Sequence, residues 1–252
     1  EHTWLDTTSK VNRMDRAIMK ILEYDTNKYN FGELVGGLFS SDLSELDNED
    51  QKANITLGTD THTSFHRVFY NRLDSGWPEF VSLYHSFLKE VIHPLFEDDT
   101  LIFQKYPGIR FCRPGAKAVY KWHSDGDADH KHPLGEVNVF FPITRAFGTN
   151  AMWYESIPGM GDWAPLELDY GQFLIGYLNQ CRHGNKTNDT GKTRVSFDFR
   201  IVPGFAYDED CPIQSCTTKQ RFVVGDYYDK MEREATPSMY DPIENARLGG
   251  AC

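Results

Sequence analysis

Between Trp77 and Asp98 the apolar residues recur at three- and four-residue steps. Phe80, Leu83, Tyr84, Phe87, Leu88, Val91, Ile92, Leu95 and Phe96 fall on one side of a 3.6-residue period. That spacing predicts an amphipathic helix, and Pro78 suits its first turn. "VNRMDRAIMKILEY" (11–24) has the same spacing and also predicts helix. The acidic, polar stretch 40–54 between them predicts an exposed loop. Residues 1–100 thus read as a mainly helical layer whose apolar faces pack on something larger.

Past residue 100 the period shortens. "GIRFCR" (108–113), "AKAVYKWH" (116–123), "EVNVFFPIT" (136–144), "NAMWYES" (150–156), "APLEL" (164–168), "GQFLIGYLN" (171–179) and "TRVSFDFRIV" (193–202) are short β-type runs broken by Gly, Pro, Asn and Asp. Several alternate apolar with polar residues, as half-buried strands do. Seven or eight such strands predict an antiparallel sandwich or barrel over 101–203. Residues 204–252 form a C-terminal extension, in which "KQRFVVGDYYDK" (219–230) offers one more strand. The whole, 1–252, reads as a single domain, mainly β with N-terminal helices.

Composition narrows the function classes. The chain has 252 residues, 40% of them hydrophobic, enough for one sizeable core. A net charge of −11 argues against broad nucleic-acid or anionic-membrane binding. No apolar run approaches the roughly 20 residues of a membrane helix, and "EHTWLDTTSK" at the start has no signal-peptide core. Five cysteines, Cys112, Cys181, Cys211, Cys216 and Cys252, are widely spaced without a CxxC. They read as free thiols of a reducing, cytoplasmic compartment. Cys211 and Cys216, five apart, read as a loop pair, with pairing or metal binding as the alternative.

Chemistry concentrates in "WHSDGDADHKH" (122–132). Asp125, Asp127, Asp129 and Glu136 match positions 1, 3, 5 and 12 of a calcium loop. His130 occupies the position that needs Gly, however, and a strand precedes the loop where a helix belongs. A transition metal fits better. His123 and Asp125 are two apart at the end of a strand, so both side chains share a face. His183, in "NQCRHGN" (179–185), supplies a third ligand. Two histidines and a carboxylate are the facial triad of non-heme Fe(II) oxygenases, with open positions left for co-substrate and O2. Eleven residues further on, Arg194 and Ser196 share a strand face, where a guanidinium fork and a hydroxyl can grip a carboxylate.

These motifs carry a resemblance. From about Arg110 to Pro203, "HSD", "GQFLIGYLNQCRHGN" and "TRVSFDFR" resemble the double-stranded β-helix of the Fe(II)/2-oxoglutarate-dependent oxygenases, in the phytanoyl-CoA-hydroxylase-like and StrG-like group. The resemblance covers some two-fifths of the chain; the helical part matches no motif of it. It implies a jelly-roll, cupin-like core with Fe(II) on His123, Asp125 and His183. It implies 2-oxoglutarate held through its distal carboxylate by Arg194 with help from Ser196, and O2 as oxidant. Asn138 lies on a strand that lines this pocket in the family and is a further co-substrate contact. Halogenases of the superfamily carry Gly or Ala in place of the metal carboxylate, so Asp125 favours hydroxylation or a related oxidation.

On the substrate side, Trp153 and Glu155 share a strand face, Arg110 and Arg113 form a basic pair near the barrel mouth, and Asp127 lies in a charged loop that reads as a lid. The expected enzyme acts on a small polar metabolite or biosynthetic intermediate. A peptide hydroxylase is the alternative within the class, and a metal-binding barrel without turnover the alternative outside it. Oligomeric state is not encoded in any feature of the sequence.

Overall fold

The computed structural model describes residues 19–47, 63–118 and 121–233. Its major sheet contains β1 (Lys20–Glu23), β2 (Thr100–Gln104), β3 (Gly108–Cys112), β4 (Val137–Pro142), β7 (Gln172–Gly176), β9 (Arg194–Pro203) and β10 (Tyr228–Glu232). The order is β1-β7-β4-β9-β2-β10. The ten-residue β9 serves two partners: its start pairs with β3 and its end with β2. A minor sheet of β5 (Met152–Tyr154), β6 (Ala164–Leu166) and β8 (His183–Asn185) runs β6-β5-β8. All named pairings are antiparallel. The fold is a double-stranded β-helix, a jelly roll, packed against a helical layer.

Alternation explains how the two layers meet. On β9, Val195, Phe197, Phe199 and Ile201 are fully buried in the core, while Arg194, Ser196, Asp198 and Arg200 share the other face. The core face meets α1 (Phe31–Gly36), α2 (Ser64–Asp74) and α3 (Pro78–Phe87). Phe31, Phe69, Phe80 and Phe87 of these helices have no exposed surface and stack with Phe141 and Phe197 at 5–6 Å between ring centroids. Thr63 caps α2 by accepting from the His66 N–H. The helix expected over 77–98 begins at Pro78 and continues past Phe87 as a π turn (Leu88–Ile92) and a 3-10 turn (His93–Leu95).

Several expectations are corrected. Lys20–Glu23 is not helical but an edge strand on β7, with Leu22 opposite Phe173. Tyr24 then seats its ring against Phe87, Phe141 and Phe173. The two-residue step from Leu22 to Tyr24 serves this strand, and the sheet edge overrides the helical spacing. Residues 11–18 lie outside the described residues, as do 48–54 of the acidic loop, whose earlier part holds a 3-10 turn at Leu43–Glu45. Of the strand expected over 116–123, pairing is found near its two ends, and 119–120 lie outside the described residues. The Ala116 carbonyl accepts from the Asn188 N–H and the Gly115 N–H donates to the Asn188 carbonyl, while His123 and His183 exchange both backbone hydrogen bonds. The last strand forms at Tyr228–Glu232, a little later than 219–230. Helix α2 and strands β2 and β8 were not anticipated. Among the described residues Cys112, Cys181, Cys211 and Cys216 form no disulfide, and Cys252 lies outside them. Among the described residues no helix is long and apolar enough to cross a membrane.

Candidate metal and co-substrate site

His123 and His183 face each other across a backbone bridge, with N–H···O distances of 3.0 and 2.7 Å. Asp125 is brought to them by the next turn. Its N–H donates to the Leu178 carbonyl, and the Gly126 N–H to the Asn179 carbonyl at 2.7 Å. Gly126 has to be small, because a Cβ there would stand 2.7 Å from the Asn179 side-chain oxygen. Gly184 has to be small for a like reason: a Cβ would meet the Trp122 ring at 2.8 Å. Two close approaches therefore hold the three side chains together. Their nearest ligand atoms all lie within 4.8 Å of one another, and all three residues are buried.

Hydrogen bonds behind the triad fix which atoms face inward. The His123 Nδ1 bonds the Lys121 carbonyl at 2.8 Å, and the His183 Nδ1 bonds the Cys181 carbonyl at 3.0 Å. A carbonyl only accepts, so each Nδ1 carries the proton and each Nε2 keeps its lone pair. Both Nε2 atoms stand 3.5–3.6 Å from Asp125 Oδ1. The other carboxylate oxygen, Oδ2, accepts from Asn138 Nδ2 at 2.6 Å and from Arg200 at 2.8 and 3.2 Å. Oδ1 is left for a ligand. Two neutral imidazoles and one anionic oxygen, converging and held from behind, fit a divalent transition metal.

The electrostatics favour a neutral His183 and an ionised Asp125, and in the metal-free site they favour charge on His123. Burial pushes His183 down to about 4, so its ring is neutral near pH 7. Burial also opposes charge on His123, but the bond to Asp125 outweighs it and moves that group upward. Asp125 pays desolvation too, yet Arg200 and the histidines hold it well below the usual carboxylate range.

Above the triad lies a cavity lined by Arg110, Asn138, Phe140, Met152, Leu178, Arg194 and Arg200, among others. Arg194 is fully buried. Its Nε donates to the Asn150 carbonyl at 2.7 Å, its NH1 donates to Ser196 Oγ, and its guanidinium carbon lies 5.4 Å from the Phe140 ring centre. Among the described residues no carboxylate pairs with it. Ser196, accepting from Arg194, keeps its own proton to donate.

The sequence picked out part of this arrangement. His123, Asp125, His183, Arg194 and Ser196 are brought together. Asn138 also lines the cavity, but its amide donates to Asp125, and its Oδ1 is buried with no partner among the described residues. Arg110 lines the cavity as well. Trp153 and Glu155 do not. Trp153 is opposite Gly184 and lies under the Lys186 ammonium, 3.2 Å from the ring centre. Glu155 accepts from the Arg182 and Gly161 N–H groups and so ties down a loop. Asp127 is likewise a turn residue, accepting from the Asp129 and His130 N–H groups and from the His130 ring. His130 stacks on His123 at 4.1 Å rather than standing free in a lid. Arg113 is buried away from the cavity lining. Asp198 and Arg200 were missed. Their signal was the continued alternation of "RVSFDFR", which puts both on the face of Arg194 and Ser196.

A jelly roll with His-X-Asp, a distal His and an Arg-X-Ser strand in this order has the fold and motifs of the Fe(II)/2-oxoglutarate-dependent oxygenase superfamily. The streptomycin biosynthesis protein StrG of Streptomyces griseus is 32% identical over 209 residues, which cover 82% of this chain and 96% of StrG. The chain belongs to the StrG family. No family model matches it. Among solved structures, the 2-oxoglutarate-dependent epimerase SnoN of nogalamycin biosynthesis aligns with TM-score 0.43 at 13% identity, over 84% of this chain and 92% of SnoN. The non-heme monooxygenase ThoJ aligns with TM-score 0.42 at 12% identity, over 87% of each chain.

Proposed function

We propose that the protein is an Fe(II)- and 2-oxoglutarate-dependent dioxygenase that hydroxylates a small polar metabolite or biosynthetic intermediate. The observation that carries this reading is Arg194: a buried guanidinium without a carboxylate partner among the described residues, in the cavity beside three converging metal-type ligands. Burying an unpaired charge is costly, and a plain metal-binding barrel has no use for one. The distal carboxylate of 2-oxoglutarate would pair with it. StrG is named as a streptomycin biosynthesis protein, which supports a small molecule as substrate.

The residues divide the work. His123 Nε2, His183 Nε2 and Asp125 Oδ1 would hold the metal. Asn138 and Arg200 keep Asp125 Oδ2 turned away from it. Arg194 and Ser196 would orient the co-substrate through a charge-assisted pair and a hydroxyl donor. Phe140, Met152 and Leu178 form apolar cavity wall, which keeps water from the site. Fe(II) and 2-oxoglutarate, when bound, supply O2 activation: one oxygen atom goes to the substrate as hydroxyl, the other to succinate, with loss of CO2.

The test is optical. Anaerobic Fe(II) followed by 2-oxoglutarate should give a weak visible charge-transfer band that His183→Ala abolishes. Arg194→Ala should shift the required 2-oxoglutarate concentration upward by roughly 30- to 900-fold, the equivalent of about 2–4 kcal/mol. Bound iron without any band would defeat the reading.

A further inference from the structure

Arg110 stands apart from the other two cavity arginines. It lies on β3 directly opposite Ser196, so its side chain opens onto the same face as Arg194. Arg194 is 1% exposed, whereas the Arg110 side chain is 27% exposed. It therefore sits where the cavity meets solvent. Only its Nε is engaged, by Asp198 Oδ1 at 2.9 Å. Its two terminal nitrogens have no hydrogen-bond partner among the described residues.

Asp198 does not neutralise it alone, because its other oxygen accepts from Arg200 NH1 at 2.5 Å. Arg200 in turn bridges to Asp125. The cavity and triad thus hold three guanidiniums, Arg110, Arg194 and Arg200, against two carboxylates, Asp125 and Asp198. Glu136, buried nearby, is engaged by Tyr228 and His132 and does not line the cavity. A divalent metal and dianionic 2-oxoglutarate cancel each other. The guanidinium with unused donors at the entrance is Arg110.

We infer that Arg110 is the anion-binding end of the substrate site, and that the substrate carries a phosphate or carboxylate. This rests on the dioxygenase reading above. Two parallel N–H donors match either group in a forked geometry. Asp198, holding Nε from behind, aims the fork.

The protein would be loaded with Co(II) and saturating 2-oxoglutarate, and inorganic phosphate added. The paramagnetic ion should speed 31P relaxation in the wild type, and 13C-labelled acetate read in the same way separates a carboxylate preference from a phosphate one. Arg110→Met should weaken the preferred anion by about tenfold or more, with 2-oxoglutarate affinity changed less than about twofold. Arg110→Gln, which keeps a donor for Asp198, gives the same answer should the Met variant fail to fold. Neither anion relaxed in the wild type, or equal relaxation in wild type and variant, overturns the inference. A parallel loss of 2-oxoglutarate affinity overturns it too, by moving Arg110 into the co-substrate clamp. Failure of the charge-transfer band would defeat the dioxygenase reading instead, so the two outcomes are separable.

Discussion

Arg200 does for Asp125 what the two backbone carbonyls do for the histidines. Three donor contacts converge on Asp125 Oδ2, two from Arg200 and one from Asn138, and leave Oδ1 as the outward atom. Groups that orient a metal ligand in this way commonly set 10- to 100-fold of the metal affinity. Arg200→Met should therefore weaken Fe(II) or Co(II) binding by about that factor, read directly by anaerobic metal titration. Arg200→Lys should recover only part, since an ammonium cannot reproduce the fork. Unchanged metal affinity in both variants would show that Asn138 alone suffices. The sequence made the ligands legible because a two-residue step on a strand is a geometric statement. It left Arg200 unread because an arginine on a strand is most often a surface ion pair. Asn138 lies in the cavity and donates to Asp125, a bond the sequence did not announce: strand register puts a side chain on a face but does not choose its partner there.

At the scale of elements, β9 was readable from its strict alternation, and α3 from its 3.6-residue period. β1 was not, because "KILEY" satisfies both periods and only the unpaired edge of β7 decides between them. Trp153 and Glu155 were misplaced for a related reason. Their common face was evident, but which face of β5 looks toward the metal depends on the pairing of Tyr154 with His183. Glu155 instead fastens the segment that follows it. Burial alone would raise its pKa, but bonds from backbone N–H groups of Arg182, Gly159 and Gly161 bring it below the usual glutamate value. A carboxylate depressed in the folded state contributes stability that is present above its unfolded pKa and lost as pH falls through the folded one. The loop 156–163 should accordingly loosen below about pH 4.5. Amide exchange protection at Gly161 and Arg182 would report this. Glu155→Gln should show low protection at neutral pH already, and protection that stays high in the variant would mean that Asp162, bonded to Ser156, holds the loop without it.

For the molecule as a whole, the helical layer and the site lie on opposite faces of one sheet. Phe197 and Phe199 point to the aromatic core, while Arg194, Asp198 and Arg200 line the cavity. The metal ligands come from two separated parts of the chain: the turn at 123–125 and strand β8 of the minor sheet. The His123–His183 bridge and the backbone bonds of 125–126 to 178–179 join them. An ion that binds the folded site but not the unfolded chain stabilises the fold by mass action, about 2.7 kcal/mol at 100 times its Kd. In a chain of this size each kcal/mol moves Tm by roughly 2–4 °C. Fe(II) or Co(II) at that concentration should thus raise Tm by about 5–10 °C, and a chelator should reverse it. Adding 2-oxoglutarate should raise it further, because the Arg194 charge then gains its partner. In His183→Ala the metal increment should disappear, while the metal-free Tm stays near that of the wild type. A metal increment that survived in His183→Ala would place the bound ion elsewhere on the protein.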